Sequence, residues 1–425
     1  MKIVLLLMFT IASLNCQAQT TSSPSSLTLN VARIEALNSN PEFKRSKITL
    51  EEYPFKKDSM LSAHLPKFSL STNHYFYNRF QYIRFGASNM PATYPYSTLS
   101  LDASFLLFDG FGIISNYKST IIEEDASKLK HRRLQVQIER EIELRFYQAL
   151  AAKQLAEVAN MNILSLQDHL KEAKNRERIG VGTNYEVLRV EVQLEDAKSE
   201  KLASDDQIET SRLKLAQIMG LENDSRILIG ELPIPDLNFL SEININKSRS
   251  DIEAQRRIID QTRQAIITAN SGWYPRISLI ANNQWYNNRD RSYSTDQFDR
   301  SHAIGINATW NFFEGGDTNA KSALAALKVI EQENILQTML LQNSYDLIFW
   351  KKRYKLAYSQ YHARLRSISK AEESVRLAKV GIRNGTRTNS ELLDAELDLF
   401  RARANLIKSK LDAIEASFNL KLLKE

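Results

Sequence analysis

The stretch from Arg178 to Leu188 reads RIGVGTNYEVL, and the stretch from Arg383 to Leu393 reads RNGTRTNSELL. Six of the eleven positions are identical at an offset of 205 residues. The same offset aligns ASFLLFDG at 103–110 with ATWNFFEG at 308–315. Self-similarity at a fixed spacing indicates an internal repeat. We therefore interpret the chain as a tandem duplication.

The duplication extends towards the N-terminus, where the offset becomes 209. There LPKFSL at 65–70 aligns with YPRISL at 274–279. The difference of four residues falls between 70 and 103, where we expect a loop. We assign 19–220 to repeat 1, 249–425 to repeat 2, and 221–248 to a linker that contains Pro233 and Pro235.

The composition excludes several classes of protein. The 425 residues include 43% hydrophobic residues, one cysteine, and 56 Lys and Arg against 50 Asp and Glu. This hydrophobic content argues against disorder, and a single cysteine excludes a disulfide scaffold. A net charge of +6, spread over so long a chain, does not predict nucleic acid binding. Beyond the N-terminus no run of 18 apolar residues predicts a membrane-spanning helix.

The first 18 residues have the layout of a secretory signal peptide. Lys2 supplies the positive charge, 3–14 form a short apolar stretch, and Cys16-Gln17-Ala18 offers small residues for cleavage before Gln19. We predict export and a mature N-terminus at Gln19. Lipidation of Cys16 is the competing interpretation, although the residues before it match that pattern poorly.

Four segments alternate between apolar and polar residues, which is the signal of a strand. In STLSLDASFLLF at 97–108, for example, every second residue is apolar. The predicted strands are about 66–80, 97–108, 275–287 and 302–313. Polar, aromatic loops at about 79–96 and 287–302 join them into two hairpins.

These hairpins could belong to a soluble sheet or could cross a membrane. About ten alternating residues match a tilted strand that crosses a bilayer. Four strands cannot close a barrel alone, so a membrane protein of this kind needs further copies of itself. Export and alternation favour the membrane. We predict that the apolar phase faces lipid, with Leu101, Phe105, Ile306 and Trp310, and that Ser100 and Asn307 face water.

Most of the remaining sequence predicts long helices, at about 112–178, 184–220, 317–383 and 389–423. Proline is absent from the first of these, and Ala, Leu, Glu, Lys, Gln and Arg dominate it. A helix of about 65 residues would be roughly 100 Å long. Turns with Gly180 and Thr183, and with Gly385 and Thr388, would fold these helices into coiled-coil hairpins.

The duplicated order of strand pair, long helix, Gly-x-x-Thr turn and return helix resembles the outer-membrane efflux protein family typified by TolC. The matching residues are Leu65-Pro66, Tyr274-Pro275, Phe108-Asp-Gly110, Phe313-Glu-Gly-Gly316 and the segment 385–394. The resemblance implies an α+β membrane protein. In it a homotrimer forms a 12-stranded β-barrel with four strands per chain, continued by a long α-helical periplasmic barrel of coiled-coil hairpins.

The family also implies a function. It is a passive exit duct in the Gram-negative outer membrane, serving a tripartite efflux or type I secretion system. Its partners would be outer-membrane lipid, a periplasmic adaptor protein and an inner-membrane pump. Two alternatives remain, a structural or adhesive coiled-coil envelope protein without a pore and a secreted enzyme. No sequence pattern for catalysis, a metal or a cofactor supports an enzyme.

The resemblance further assigns a periplasmic gate to the second helical tip. Glu391 and Asp394 match a carboxylate pair at the closed entrance, where three chains would bring six carboxylates together and favour cations. Arg387 matches an arginine that ties this tip to its neighbour, and Glu186 is its expected partner. Ordinary solvated carboxylates at a helix start are the competing interpretation.

Overall fold

The structure is a computed structural model that describes residues 26–76, 79, 81–91, 96–243, 249–288 and 299–424. The predicted signal peptide, its cleavage site and the competing lipidation of Cys16 lie outside the described residues.

Eight helices account for most of the described chain. In the first half they are α1 (Leu29–Ser39), α2 (Pro41–Glu51), α3 (Tyr53–Leu61), α4 (Gly112–Arg178) and α5 (Asn184–Met219). In the second half they are α6 (Ser250–Asn270), α7 (Asp317–Arg383) and α8 (Asn389–Lys424). Helices α4 and α7 have 67 residues each, and α5 and α8 have 36 each. The bounds of these two helix pairs differ by the repeat offset, since 112 + 205 = 317 and 184 + 205 = 389.

Eight strands are described, and four of them form the main sheet. In chain order they are β1 (Ser26–Leu27), β2 (Lys67–Tyr75), β3 (Tyr82–Phe85), β4 (Ser88–Pro91), β5 (Tyr96–Phe108), β6 (Ile227–Leu228), β7 (Arg276–Asn288) and β8 (Asp299–Thr309). The main sheet is antiparallel with the order β2-β5-β7-β8. Each repeat contributes one hairpin, and β5 pairs with β7 to join the two. Strands β2 and β8 are left as the edges of the sheet.

The last strand ends earlier than the sequence predicts. We expected a strand at about 302–313, but β8 runs from Asp299 to Thr309. Thr309 is paired with Arg276, the first residue of β7. Pro275 precedes that residue and has no N–H for a ladder hydrogen bond, so the ladder stops there.

The first hairpin also departs from its predicted bounds. The strand expected at about 66–80 is observed as β2, which ends at Tyr75. The segment expected to be a loop at 79–96 contains a second small hairpin, β3 with β4. Gly86 turns it with a φ of 59°, a backbone conformation that glycine adopts readily. In the second repeat, residues 289–298 of the predicted loop lie outside the described residues.

The helices form one layer that continues the sheet. Helix α4 packs against α6 on one part of its length and against α5 and α8 on another, while α7 packs against α6 and α8. Strand β2 follows α3, α4 follows β5, β7 follows α6, and α7 follows β8. Next to the sheet, the helices α3, α4, α6 and α7 therefore lie side by side in the same order as the strands β2, β5, β7 and β8 that they adjoin in the chain. Helix α7 lies at one edge of this layer.

A short connection joins the sheet to the long helices. Asp109 Oδ2 accepts a hydrogen bond from the Ile113 backbone N–H at 2.7 Å and so caps the start of α4. Gly110 precedes it with a φ of 73°. A Cβ atom at Gly110 would lie 2.6 Å from the Ser271 carbonyl oxygen. Only glycine lets the chain turn this closely past the end of α6.

The linker between the repeats is packed onto the helices. Strand β6 pairs in parallel with β1 at the N-terminal end of the described chain. Leu228, Leu232 and Ile243 are buried, and each belongs to a hydrophobic cluster with residues of the long helices. Residues 244–248 lie outside the described residues.

Candidate functional site

Each helical hairpin turns over a short segment that begins with a left-handed glycine. In the first tip, Gly180 has a φ of 76°, and the Val181 and Gly182 N–H groups both donate to the Arg176 carbonyl at 3.0 Å. Thr183 then caps α5 by accepting the Glu186 N–H at 3.3 Å. The residues after the left-handed glycine satisfy a carbonyl at the end of α4, and the threonine satisfies an N–H at the start of α5.

The second tip has the same turn with a more complete cap. Gly385 has a φ of 71°, and the Thr386 N–H donates to the Gly381 carbonyl at 2.8 Å. The Thr388 N–H donates to Glu391 Oε2 at 2.8 Å, and the Glu391 N–H donates to Thr388 Oγ1 at 3.3 Å. This reciprocal pair is a capping box. The Glu391 carboxylate is therefore drawn back onto the turn of its own chain.

The two tips differ by an exchange of arginine and glycine at equivalent positions. The first tip has Arg176 and Gly182, and 205 residues later the second tip has Gly381 and Arg387. A Cβ atom at Gly381 would lie 2.7 Å from Arg387 Cγ, and one at Gly182 would lie 3.0 Å from Arg176 Cβ. One member of each pair must be glycine because the turn folds the two positions onto each other.

An ion pair joins the two tips, but it is not the predicted one. Arg189 Nη2 donates to Asp394 Oδ1 at 3.0 Å and so links α5 to α8. Among the described residues of a single chain, Arg387 forms no ion pair with Glu186, because its side chain lies over Gly381. The contact between Arg387 and Glu186 stays a prediction about neighbouring copies. Sequence reasoning missed Arg189, although it shares its position in the repeat with Asp394 (189 + 205 = 394).

A buried carboxylate lies two turns above the tips. Glu396 on α8 accepts hydrogen bonds from Ser165 Oγ and, at 2.9 Å, from His169 Nε2, both on α4. Lys379 Nζ on α7 lies 3.2 Å from its other oxygen. Burial by itself would raise the pKa of Glu396, but the hydrogen bonds from His169, Ser165 and Lys379 outweigh it and lower the pKa to about 2. The cluster joins three helices from both repeats.

The four-stranded sheet has one polar face and one mainly apolar face, which also carries Asn283, His302 and Arg300. Leu101 is paired with Leu70 on one side, and Phe105 is paired with Leu279, which in turn is paired with Ile306. Laterally paired residues point to the same face, so these side chains share it. On the opposite face Ser100 pairs with Ser71 and Gln284, and Asn282 donates to Asp102 at 2.6 Å.

Trp310 does not belong to the apolar face of the strand, contrary to our expectation. It follows the last residue of β8, where the ladder has ended, and its Nε1 donates to the Trp273 carbonyl at 3.1 Å. It lies with Phe312 in an edge-to-face contact at the junction between sheet and helices.

Within the part of the chain that the structure describes, no three His, Cys, Asp or Glu side chains are grouped so that they could hold a metal ion. No described helix is both long and apolar enough to span a membrane.

Two strand hairpins lie in one sheet, and each is continued by a helical hairpin about 100 Å long. The chain belongs to the outer membrane efflux protein family, whose sequence profile matches residues 33–221 and 244–423. This family comprises transport channels and not enzymes. Membership places the chain in the outer membrane of a Gram-negative cell, with an extension into the periplasm.

Solved structures have the same fold. VceC of Vibrio cholerae superposes with a TM-score of 0.75 at 16% identity, over 93% of this chain and 96% of that one. CmeC of Campylobacter jejuni superposes with a TM-score of 0.77 at 16% identity, over 93% and 85%. The predicted combination of a strand domain and long helical hairpins is confirmed.

The alignments with sequence relatives cover a smaller share of both chains than the structural superpositions do. The proteases secretion protein PrtF of Dickeya chrysanthemi is 22% identical, over 65% of this chain and 63% of its own length. The outer membrane protein TolC of Vibrio cholerae is 20% identical, over 65% of each. The match thus spans slightly less than two thirds of both relatives.

Proposed function

We propose that three copies of this chain close into one duct, through which substrates leave the periplasm and cross the outer membrane. The observation that carries this proposal is that sheet and helical layer are open at corresponding edges. The sheet has one polar face, one mainly apolar face and two unpaired edges, β2 and β8. Edges of this kind cannot remain exposed to lipid, so they need a partner strand.

Closure by further copies satisfies both edges at once. If β2 of one copy pairs with β8 of the next, three copies form a barrel of twelve strands without an edge. The polar face with Ser71, Ser100, Asp102 and Gln284 would then line water, and the face with Leu101 and Ile306 would meet lipid. This lining gives a passive route for polar substrates.

The contact between α4 and α8 inside one chain provides a template for the contact between copies. On α8, Leu393 is buried and Ile407 packs against a buried cluster that includes α4. The equivalent residues on α5, 205 positions earlier, are Leu188 and Leu202. They are 52% and 73% exposed in the single chain. Helix α5 thus carries apolar residues at the positions that α8 buries against α4, but within one chain no helix covers them.

Helix α7 offers the matching surface. On α4, Leu144 and Ala151 are buried in the cluster that Ile407 contacts. Their equivalents on α7, Phe349 and Leu356, are 50% and 48% exposed. Placing α5 of one copy beside α7 of the next would cover both surfaces. The occupant of these surfaces is therefore a second copy of the same chain.

The helical tips would form the periplasmic entrance of this duct, and Glu391, Asp394, Arg387 and Glu186 would lie at it. We assign the energy for transport to an inner-membrane pump, which would be linked to this chain through a periplasmic adaptor protein. The names of the relatives, one of which is a proteases secretion protein, support export as the task. A purely structural coiled-coil protein would have no use for the two-faced sheet.

The test is to purify the full chain from outer membranes in detergent, measure its mass by light scattering and insert it into planar bilayers. We expect a trimer that gives stepwise conductance. Heating the same sample to dissociate the trimer should abolish conductance and serves as the control. A monomeric protein, or a trimer without conductance, would overturn the proposal.

A further inference from the structure

We propose that Arg189 and Asp394 alternate around the entrance of the duct, so that the ring carries no net charge and Arg189 sets its ion selectivity. This inference rests on the proposed trimeric duct. It differs from the purely acidic entrance that the sequence predicts, because it adds three arginines to the three Asp394 carboxylates.

In the proposed ring each Asp394 contacts two arginines, and the first of these is Arg189 of its own chain. The Arg189 guanidinium meets Asp394 Oδ1 at 3.0 Å, in the second turn of α5 and of α8 respectively. The Asp394 side chain is still 60% exposed, so its other oxygen is free to accept from a second cation. A guanidinium presents five N–H donors in a planar fork and is suited to bridge two carboxylates.

The internal duplication indicates that the second arginine is Arg189 of the next copy. Arg189 and Asp394 are equivalent positions, and the internal relation of α5 to α8 crosses α4. Between copies, α8 of one and α5 of the next lie on either side of α7, the equivalent of α4. The same relation then brings Asp394 of one copy to Arg189 of the next. In a ring of six hairpins, each aspartate lies between two arginines.

The other predicted gate carboxylate is held differently. Glu391 bonds the Thr388 N–H in its own capping box, which turns its charge towards the positive end of α8. Three Arg189 and three Asp394 contribute a net charge of zero to the ring. A fixed ring charge of one sign is what makes a pore select ions, so the arginines oppose cation selectivity.

Ion selectivity in planar bilayers tests the ring directly. We expect Arg189→Gln to raise the permeability of K⁺ over Cl⁻ several-fold, because three uncompensated aspartates remain. Asp394→Asn should shift it the opposite way, and the double variant should return close to the wild-type ratio. Arg256→Gln removes the same charge from an exposed site on α6 and is the matched control, with no expected change.

A crosslinking experiment tests the neighbour relation without relying on conductance. Cys16 is replaced by Ser throughout, and chains with Arg189→Cys are coexpressed with differently tagged chains with Asp394→Cys. A short bifunctional thiol reagent should then join the two chain types into dimers. Conducting trimers in which Arg189→Gln leaves selectivity unchanged, or trimers that give no such dimer, would overturn the alternating ring. Failure of the wild-type protein to conduct would instead count against the proposed duct.

Discussion

At the scale of single residues, the tips show how one turn accepts two different sequences. Both turns fold the first residue of a pair onto the residue six positions later. The two residues of each pair would clash if both had large side chains. The first tip has its glycine second, as Gly182 after Arg176, and the second tip has it first, as Gly381 before Arg387. As a result, the arginine lies at the end of the long helix in the first tip and in the turn before the return helix in the second tip.

We expect Gly381→Ala to destabilise the second tip. Alanine normally favours a helix over glycine by about 1 kcal/mol, but the new Cβ would lie 2.7 Å from Arg387 Cγ, and overpacking costs about 1–3 kcal/mol. The clash should win in the single variant. Hydrogen exchange of the backbone amides at 382–388 measures it, and exchange there should become faster.

Adding Arg387→Gly to Gly381→Ala is the control. The double variant reproduces the size order of the first tip, so protection of these amides should return. Equal exchange rates in the single variant and the wild type would show that the turn absorbs the extra atom by a small shift.

Glu396 predicts a pH dependence of stability. Its pKa falls from 4.5 in the unfolded chain to about 2 in the folded one. The carboxylate therefore stabilises the folded state fully above pH 4.5, and this contribution is lost as the pH falls towards 2. Glu396→Gln should lower the free energy of unfolding by about 3 kcal/mol at neutral pH, because a fall of the pKa from 4.5 to about 2 corresponds to a stabilisation of that size. The difference from wild type should vanish near pH 2.

Chemical unfolding at a series of pH values measures this difference. Glu373→Gln, which removes a carboxylate from an exposed pair with Arg376, is the matched control and should change stability little. A gap between wild type and Glu396→Gln that stays constant from pH 7 to pH 2 would refute the assigned role of the charge.

At the scale of elements, a proline divides one helix of repeat 1 that is continuous in repeat 2. At the offset of 209, α6 spans the same positions as α2 and α3 together, since 41 + 209 = 250 and 61 + 209 = 270. Pro54 lies in the first turn of α3 and has no equivalent proline in α6, where Arg263 occupies the position. A proline inside a helix removes a hydrogen bond and clashes with the preceding turn, so one helix becomes two.

The two faces of the sheet should respond differently to charge. Leu101→Arg or Ile306→Arg should destabilise the barrel by about 2–4 kcal/mol near the bilayer midplane, because an unpaired guanidinium would meet lipid. Ser100→Arg or Asn307→Arg on the polar face should cost much less. Trp310→Arg should also be mild, since Trp310 follows the end of β8 at the level of the junction. Urea unfolding in lipid vesicles compares these variants, and equal loss on both faces would contradict the lipid assignment.

At the scale of the whole molecule, the contact between α4 and α8 within one chain predicts the contact between α7 of one copy and α5 of the next. Leu202 should pack between Phe349 and Leu356 of the next copy, as Ile407 packs near their equivalents inside the chain. Leu202→Glu should weaken trimer association at least about tenfold, because it buries a carboxylate without a partner. Analytical ultracentrifugation in detergent measures the change.

Leu164→Glu is the matched control, because Leu164 is exposed on α4, which has helices on both sides rather than an edge of the layer. It should leave the trimer intact. Equal association of both variants would mean that the subunits meet through other surfaces.

The sequence by itself determined the elements and their duplication. Helix and strand signals are local: alternation marks β2, β5, β7 and β8, and the glycine and threonine of each tip stop one helix and start the next. Such signals act through neighbouring residues, so an aligned repeat at 205 positions implies aligned helices. The observed bounds of α4 and α7 follow that offset.

Only the tertiary structure decided which distant side chains meet. Asp394 pairs with Arg189 across 205 residues, and Glu396 with His169 across 227. No local pattern encodes either contact, because each depends on how far α8 slides along its neighbouring helices. The end of β8 at Thr309 has the same origin. A strand continues only where a neighbouring strand provides hydrogen-bond partners, and β7 begins at Arg276, after Pro275, which has no N–H to donate.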